Sequence, residues 1–529
     1  MDTNHLIRRA RSQQLGDLLR RSAARVPGRT ALVFRDQRDT FAELDAAVNR
    51  AANALAAEGI EKGDRVALLS HNNRSFVVLR FALARLGAVT TPINFMLNAG
   101  DVAYILQHSG VRMMLVEDAL CPVADAAMAE IGKDLPKFAI PHAGETTPEG
   151  WRPVSDLLDH ADDTEVWRDV GSDDPIQMMF TSGTESRPKG ALLTSGALYA
   201  QYTSCIADGE MREDAVSLHC LPLFHCAQLD CFLSPDLYLG VPSILHDKAD
   251  PAEMLAAIEA HRVTKLFCPP TVWIGLLRHP DFDKRDLSSL NAGYYGASIM
   301  PTAVIEELAR RLPNMRLFNF YGQTEMAPMA TVLKPEDQMR KLGSAGRPAV
   351  NVETRVVDDY DQPLPVGEVG EIVHRSPHLI TEYYADPEKT ADAFRNGWFH
   401  SGDLGRFDED GYLYVVDRKK DMIKTGGENV ASREVEEAIF RHPAVAEVAV
   451  IGLPHPTWIE AVTAIVVPKA GAEVTAAELS DYCREALAHF KAPKHIEIAK
   501  ELPKNASGKI LKRDLRETLR GFSARGEGA

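Results

Sequence analysis

Apolar and polar residues alternate along the N-terminal third in blocks that predict strands and helices in turn. The runs Arg65 to Leu69, Ala88 to Thr91 and Val111 to Val116 are short and apolar, as buried strands are. Between them, Ser75 to Leu86 and Asp101 to Gln107 have helical patterns. This β-α-β-α-β order predicts a parallel sheet with helices on both faces.

The pattern changes twice further along the chain. A second β/α region runs from about 215 to 330. Residues 343–416 then contain short strands separated by Gly and Pro turns, which predict a small β-rich subdomain. After the charged stretch Asp417 to Asp421, helical and strand patterns alternate over a short segment, and a Thr475–Glu478 capping box starts one of its helices. This last segment predicts a compact α+β unit.

These elements predict an α/β protein with two domains. The large N-terminal domain, 1–417, would combine doubly wound β/α subdomains with the small β-rich subdomain. A hinge at 418–421 would follow, because its charged residues suit an exposed linker rather than a core. The C-terminal domain, 422–529, would be the small α+β unit.

Composition excludes several classes of protein. The chain has 529 residues, 45% hydrophobic and 25% charged, which is typical of a globular protein with more than one domain. Its formal net charge of −16 argues against broad nucleic-acid binding, although local Lys and Arg residues can still hold an anionic ligand. No apolar run is long enough for a transmembrane helix, and no secretory signal is expected. Arg8, Arg9 and Arg11 leave a weak peripheral membrane contact open.

The cysteines predict a reducing compartment. There are seven of them and no CxxC pair, which favours reduced thiols in the cytoplasm. One segment brings together His219, Cys220, His225, Cys226 and Cys231. It lacks the paired spacings of zinc sites, so we interpret these cysteines as packed core thiols.

The segment TSGTESRPKG at 181–190 is a candidate phosphate-binding loop, and it follows the apolar run Ile176 to Phe180. Its hydroxyls, backbone N–H groups and lysine can bind a polyphosphate. It is not a Walker A loop, because Lys189 is followed by Gly190. Such a loop is by itself more often a plain turn. Four further motifs accompany it: YGQTE at 321–325, WFHSGD at 398–403, DRKKDMIKTGGEN at 417–429 and PKNASGK at 503–509.

The five motifs, in this order and over nearly the whole chain, resemble those of the adenylate-forming superfamily. That group includes acyl-CoA synthetases, luciferases and peptide-synthetase adenylation domains, and the chain looks most like bacterial fatty-acyl-CoA synthetases. The resemblance implies two half-reactions. A carboxylate first attacks the α-phosphate of ATP, giving acyl-AMP and pyrophosphate. A thiol, usually CoA, then displaces AMP after the mobile C-terminal domain has rotated.

The resemblance assigns the β- and γ-phosphates of ATP to hydroxyl, glycine and lysine residues of the first motif: Thr181, Ser182, Gly183, Thr184 and Lys189. Glu185 and Ser186 depart from the family pattern, which usually has Thr-Gly here. An acidic side chain beside phosphates is unfavourable unless it points away or approaches the metal. The roles of these two positions therefore stay open.

The rest of the nucleotide is assigned to Gly296, Ala297, Tyr321, Gly322, Thr324, Asp403, Arg418 and Lys420. By resemblance, Tyr321 stacks on adenine and Thr324 contacts the α-phosphate. Asp403 suits the two ribose hydroxyls because a carboxylate accepts from both donors. Thr184 and Glu325 would hold Mg²⁺, a hard cation that prefers oxygen ligands.

Catalytic roles are implied for Lys509, Thr184, Glu325 and His225. The Lys509 ammonium would bridge the substrate carboxylate and the α-phosphate, a preorganised contact that contributes roughly 10²–10³-fold in rate. His225 would orient the carboxylate or gate the pocket, with a packed core histidine as the alternative. Gly426 and Gly427 would contact CoA, although a hairpin turn also explains them.

Apolar residues around these motifs are expected to shape the acyl pocket: 226–233, Tyr294, Tyr295, Met326, Ala327 and Pro328. We therefore expect an ATP- and Mg²⁺-dependent acid–thiol ligase, an acyl-CoA synthetase acting on a medium- or long-chain fatty acid. An aryl-CoA ligase and a stand-alone adenylating amide ligase are the alternatives. A peptide-synthetase domain is less favoured, because His225 stands where that class usually has Asp, and nothing specific favours a luciferase. A non-enzymatic binding protein of the same fold and a homodimer also stay open.

Overall fold

Short apolar runs near the N-terminus form the parallel sheet that the sequence predicts. The computed structural model describes residues 3–142, 147–181, 187–298, 300–505 and 508–519. Arg65–Leu69 lies between Val89–Ile93 and Met113–Glu117, and these strands run parallel. In spatial order the sheet contains Arg152–Pro153, Lys137–Ile140, Met113–Glu117, Arg65–Leu69, Val89–Ile93, Pro175–Thr181 and Lys189–Thr194.

A second sheet, parallel at its centre and antiparallel at its edges, carries the YGQTE motif at 321–325. Its neighbouring strands Ala292–Gly296 and Arg316–Gly322 run parallel, so the segments after them meet at one edge of the sheet. In spatial order it contains Arg347–Pro348, Met329–Leu333, Arg316–Gly322, Ala292–Gly296, Lys265–Phe267, Ser217–His219, Ser243–Leu245, Thr30–Phe34 and Gln37–Thr40.

The remaining strands form the predicted β-rich subdomain and the C-terminal domain. The β-rich sheet contains Glu353–Val357, Gly370–Arg375, Trp398–Phe407, Phe394–Arg395 and Leu413–Arg418. The C-terminal sheet contains Glu428–Val430, Ile423–Thr425, Ile459–Pro468, Val445–His455 and His495–Ile498. The chain passes from one sheet to the other between Arg418 and Ile423, where the sequence predicts a hinge.

Helices cover the sheets, and two of them begin at capping boxes, one of which, Thr475–Glu478, the sequence predicts. Thr40 and Glu43 form a capping box, and so do Thr475 and Glu478. In the part of the chain that is described, no helix is long and apolar enough to cross a membrane. The α-helices are Thr3–Ala10, Asp17–Arg25, Phe41–Ala57, Arg74–Leu86, Ala99–Ser109, Cys121–Glu130, Ser155–Leu158, Ser195–Asp208, Cys226–Gln228, Ser234–Leu239, Pro251–His261, Pro270–Arg278, Thr302–Arg311, Pro387–Ala393, Ser432–Phe440, Ala476–Ala486 and Lys512–Thr518.

A buried ion pair joins two helical segments in the core. Arg80 and Asp230 form an ion pair with a separation of 2.7 Å, and both side chains are almost fully buried. Asp230 belongs to a π-helical turn, Leu229–Leu233, which this ion pair ties to the helix Arg74–Leu86. The seven cysteines are all free and buried, as the sequence predicts.

Candidate active site

A cleft of about 980 Å³ lies at the carboxyl ends of the strands Ala292–Gly296 and Arg316–Gly322. Residues from both large sheets, from the β-rich subdomain and from the C-terminal domain line it. The cleft brings together most of the predicted site residues, which are far apart in sequence: Thr181, Lys189, His225, Gly296, Ala297, Tyr321, Gly322, Thr324, Glu325, Arg418, Lys420 and Lys509.

The predicted phosphate loop is described only at its two ends. Ser182, Gly183 and Thr184, with the unusual Glu185 and Ser186, lie outside the described residues. Thr181 ends one strand and Lys189 begins the next, and the two pair directly in an antiparallel hairpin. The sequence analysis interprets 181–190 as a single loop and does not predict the second strand, Lys189–Thr194. Its short apolar run after Gly190 is also compatible with a helix.

Asp403 follows Ser401 and Gly402, which line the cleft, and two other predicted site residues hold its carboxylate. The Tyr321 hydroxyl donates to Oδ2 at 2.7 Å, and the Arg418 guanidinium lies 3.0 Å from Oδ1. Burial and the neighbouring Asp403 charge raise the pKa of Tyr321 well above 10, so its hydroxyl remains a donor. Burial opposes the charge of Arg418, but Asp403 and other acidic neighbours outweigh it and raise the pKa of the guanidinium. Tyr321 and Arg418 therefore fix the orientation of the Asp403 carboxylate.

Glu325 is positioned by a tyrosine that the sequence motifs do not include. The Tyr383 hydroxyl donates to Glu325 Oε1 at 2.9 Å, and both side chains are buried. The ammonium of Lys189 lies 4.2 Å from the centre of the Tyr383 ring, a cation–π contact. Tyr383 therefore links Lys189, in the hairpin predicted to bind phosphate, to the carboxylate predicted to hold the metal.

Two glycines at this edge of the sheet are required by close backbone contacts. A Cβ on Gly296 would lie 2.5 Å from the carbonyl oxygen of Phe320. A Cβ on Gly322 would lie 1.9 Å from the carbonyl oxygen of Pro328. Any side chain there would push apart the backbone segments that form this wall of the cleft.

His225 is a neutral hydrogen-bond donor in this environment. Its Nδ1 accepts from the backbone N–H of Ala227 at 3.2 Å, which places the proton of the neutral ring on Nε2. Burial, followed by the positive charge of Lys509, lowers the pKa of His225 to about 4. The imidazole is therefore uncharged at neutral pH and can offer Nε2–H to a carboxylate in the cleft.

Lys509 reaches the cleft from the C-terminal domain. Its loop contacts the N-terminal domain through the Thr271 hydroxyl, which donates to the Gly508 carbonyl at 3.4 Å. The backbone N–H of Lys509 donates to the side chain of Asn505 at 2.8 Å. The lysine side chain is exposed to solvent in the cleft, yet the crowded surroundings desolvate it. This desolvation, followed by the charge of Arg418, lowers its pKa from 10.5 to about 8.

The cleft is locally basic although the whole chain is acidic. Among the described residues that line it, the carboxylates are Glu325, Glu371 and Asp392. The cations are more numerous: Lys189, Lys389, Arg395, Arg418, Lys419, Lys420, Lys504, Lys509 and Arg513. A concave surface with this excess of cations attracts a polyanion, which agrees with the predicted triphosphate site.

One wall of the cleft is built from aromatic rings. Phe232 and Phe267 stack with ring centres 4.2 Å apart and an interplanar angle of 12°. Phe320 also stacks on Phe232, with ring centres 5.6 Å apart. Cys226, Ala227 and Cys231 also line the cleft, as the sequence predicts for part of 226–233. Together they provide an apolar surface.

Several residues predicted for the acyl pocket lie in the core instead. The Tyr294 hydroxyl donates to the Gly209 carbonyl at 2.6 Å, and the Tyr295 hydroxyl donates to Gln338 at 3.1 Å. Met326 and Ala327 are fully buried, whereas the next residue, Pro328, lines the cleft. The sequence places these side chains wrongly because it does not tell which face of a buried strand meets the cleft.

Gly426 and Gly427 lie outside the cleft that contains Lys509. They form the two-residue turn between Ile423–Thr425 and Glu428–Val430, and both have positive φ angles, 59° and 88°. A turn of this kind favours glycine at both positions. The hairpin interpretation is confirmed, and the contact with CoA stays a prediction.

Comparison with known proteins agrees with this geometry. Residues 19–384 match the family of AMP-binding enzymes, and residues 434–509 match the AMP-binding enzyme C-terminal domain. A feruloyl-CoA synthase of Amycolatopsis is 38% identical over 96% of this chain and 99% of its own. The long-chain-fatty-acid–CoA ligase FadD13 of Mycobacterium tuberculosis is 37% identical over 96% and 98%. The crystal structure of the anthranilate CoA ligase AuaEII with anthranoyl-AMP has a TM-score of 0.90 at 27% identity, covering 97% of this chain and 98% of that one. The chain therefore belongs to the adenylate-forming AMP-binding enzymes, among the acyl- and aryl-CoA ligases.

Proposed function

We propose that the protein activates an aromatic carboxylic acid as its acyl-adenylate and then transfers the acyl group to CoA. The observation that carries this proposal is the position of Lys509, Arg418 and the neutral His225 in one cleft beside the stacked rings of Phe232 and Phe267. Cations and a neutral donor suit a carboxylate that must approach a triphosphate, while the rings suit a flat apolar substrate.

Adenylation requires two anions to meet, and the side chains of the cleft offset their repulsion. Lys509 would neutralise charge on the carboxylate and the α-phosphate, while Lys189 would hold the outer phosphates. His225 Nε2–H would donate to the carboxylate, and its neutral state would leave the cationic role to Lys509. Asp403, already oriented by Tyr321 and Arg418, would accept the ribose hydroxyls.

Family members use ATP, Mg²⁺ and CoA. Glu325 fits a magnesium ligand, because Oε1 accepts from Tyr383 and no described residue hydrogen-bonds Oε2. When bound, Mg²⁺ would supply charge neutralisation on the phosphate oxygens. The predicted second ligand, Thr184, lies outside the described residues.

The aromatic wall supports an aryl acid over a long chain. Phe232, Phe267 and Phe320 are each less than a tenth exposed, so the wall is packed from behind and closes this side of the cleft. A ring can stack on such a surface, whereas a long alkyl chain needs an extended channel. The feruloyl and anthranilate relatives act on aromatic acids by their names, which supports the same proposal.

A medium- or long-chain fatty acid is the second candidate. It is supported by the relative FadD13, which matches nearly as well as the feruloyl-CoA synthase. Additional apolar side chains, Met96, Leu97 and Met179, line a further part of the cleft and could accommodate a tail.

We also propose a cytoplasmic location, supported by the odd number of buried free thiols.

The test is a two-step assay on matched acids. Carboxylate-dependent exchange of labelled pyrophosphate into ATP measures adenylation, with hydroxycinnamic, arylacetic, octanoic and palmitic acids as substrates. CoA and simple amines are then compared as acceptors. We expect the highest kcat/KM for an aromatic acid and thioester formation with CoA. A preference for octanoic or palmitic acid would favour the second candidate, amide formation would favour the amide ligase, and no exchange with any acid would favour a binding protein.

A further inference from the structure

A cluster of His71, Glu117 and His142 lies apart from the residues assigned to adenylation. His71 follows the strand Arg65–Leu69, and Glu117 ends the strand Met113–Glu117. His142 follows Lys137–Ile140 by two residues. These strands are parallel neighbours, so their carboxyl ends bring the three side chains to one edge of the N-terminal sheet.

Glu117 is fixed at the centre of this cluster. Its carboxylate is almost fully buried and accepts the backbone N–H of His71 at 2.8 Å. His71 Nδ1 lies 3.0 Å from both carboxylate oxygens. His142 Nδ1 lies 3.9 Å from Oε2, and the candidate ligand atoms are all within 4.8 Å of one another. Two imidazole nitrogens and a carboxylate therefore converge on a volume the size of one ion.

The two ring nitrogens of His142 have different environments. Nδ1 is buried and has no hydrogen-bond partner in the described chain. Nε2 lies 3.5 Å from Asp247 Oδ2 and 3.5 Å from Arg35 Nη2. A buried nitrogen without a partner is unfavourable, and a cation bound between Nδ1 and Glu117 would remove that deficit. A carboxylate beside the other ring nitrogen is the usual outer partner of a metal-bound histidine.

We propose that His71, Glu117 and His142 bind a divalent transition-metal ion, with Zn²⁺ as the best match and Asp247 orienting His142. Two histidines and one glutamate form a ligand set that zinc accepts, with a fourth position left for water. Ligands at about 2.0–2.1 Å around a tetrahedral ion are roughly 3.3 Å apart. The observed 3.0 and 3.9 Å lie on either side of this spacing, and all pairs are within 4.8 Å, so movement of the partly exposed His142 ring would bring its Nδ1 to the ion.

The ion would act on the structure near the substrate cleft rather than on the reaction. The His71 ring stacks on Phe95 with centres 3.7 Å apart, and Phe95 contacts the edge of Phe224 at 5.2 Å. Phe224 lines the cleft next to His225. Fixing His71 through a metal would therefore stabilise this part of the cleft wall. Nitrogen ligands distinguish this site from the oxygen-rich magnesium site expected near ATP.

Metal binding to the untagged, EDTA-treated full-length chain tests the proposal. Equilibrium dialysis against buffered Zn²⁺ without nucleotide should give one bound ion per chain, and Co²⁺ should give the visible spectrum of a tetrahedral site. Zn²⁺ should also raise the melting temperature. Asp247→Asn should weaken binding by about 10–100-fold, and His71→Gln or His142→Gln by at least as much.

Two variants should retain wild-type affinity. His489→Gln removes an exposed histidine elsewhere, and Glu325→Gln alters the cleft. Melting curves of the metal-free variants check that they fold. The proposal is overturned by the absence of stoichiometric binding, by normal binding in both His71→Gln and His142→Gln, or by loss of binding in Glu325→Gln.

Discussion

The hydroxyl of Tyr383 donates a 2.9 Å hydrogen bond to Oε1 of Glu325, and the Tyr383 ring lies against the ammonium of Lys189. This relationship joins segments nearly 200 residues apart. It places a tyrosine outside every sequence motif in direct contact with two residues of the predicted triphosphate and metal site.

Replacing this hydroxyl should weaken metal-dependent adenylation. Tyr383→Phe keeps the ring beside Lys189 but frees Glu325 to move, and a hydrogen bond to a charged group contributes about 1.5–3 kcal/mol. We expect adenylation to fall by about tenfold or more, with half-maximal activity at a higher Mg²⁺ concentration. Pyrophosphate exchange at varied Mg²⁺ measures both effects. Tyr384→Phe, at the neighbouring half-buried tyrosine, is the control, and equal losses in the two variants would contradict the role of Tyr383.

The charge of Lys509 should set the alkaline limit of adenylation. The lysine is cationic below its pKa of about 8 and neutral above it, so kcat/KM should decline as pH rises through 8. If one proton with a pKa of about 8 controls the rate, kcat/KM at pH 9 should be about tenfold below its plateau. In Lys509→Arg the side chain is a guanidinium with a pKa above about 12, so the alkaline decline of kcat/KM should move beyond the measured pH range. Lys504→Arg, at another lysine of the cleft, should leave the decline of kcat/KM near pH 8. A decline that stays near pH 8 in Lys509→Arg would refute the assignment.

Gly508 should be needed for adenylation but not for thioester formation. Its φ of +79° disfavours other residues, and a Cβ there would lie 2.6 Å from the Thr271 hydroxyl. Gly508→Ala should displace the lysine loop and slow adenylation by roughly ten- to a hundredfold. CoA thioester formation from supplied acyl-adenylate should stay within about twofold. Gly471→Ala is a matched control, since that glycine has φ +77° and open space around it. Similar loss in both half-reactions would place the effect on folding.

The buried ion pair of Arg80 and Asp230 should matter for stability. Asp230→Leu leaves Arg80 charged and unpaired in the core, which should lower the free energy of unfolding by about 3–5 kcal/mol. Combining it with Arg80→Met should recover most of that loss, as measured by urea denaturation. Asp214→Leu, which breaks an exposed pair with Arg212, should change stability by less than about 1 kcal/mol. No recovery in the double variant would contradict this account.

Sequence motifs predict the charged part of this site well, because residue type and order carry the chemistry. Lys509, Arg418, Glu325 and Lys189 line one cleft although they are scattered over more than 300 residues. The family, the fold class and the Thr475–Glu478 capping box are confirmed in the same way. Local sequence is sufficient for such features, because each depends on a few neighbouring residues.

The sequence does not predict contacts between distant segments. Nor does it predict whether a buried side chain points into the cleft or into the core. Thr271 and Tyr383 are ordinary residues in their own segments, and their roles depend on Gly508 and Glu325 being brought to them by the fold. The aromatic side chain of Tyr294 suits a pocket wall, yet its ring belongs to the core and its hydroxyl donates to the Gly209 carbonyl. Sequence alone does not reveal these relationships, since they depend on how the sheets pack.

The stacked pair Phe232 and Phe267 also has a consequence for altering selectivity. A small apolar recess, lined by Leu221, Gln228 and Pro269 among others, shares Phe267 and His225 with the main cleft. Trimming Phe267 would merge that recess with the main cleft and lengthen the available space, while Lys509, Glu325 and Asp403 keep their contacts. Phe267 is therefore the position at which redesign toward bulkier acids can begin.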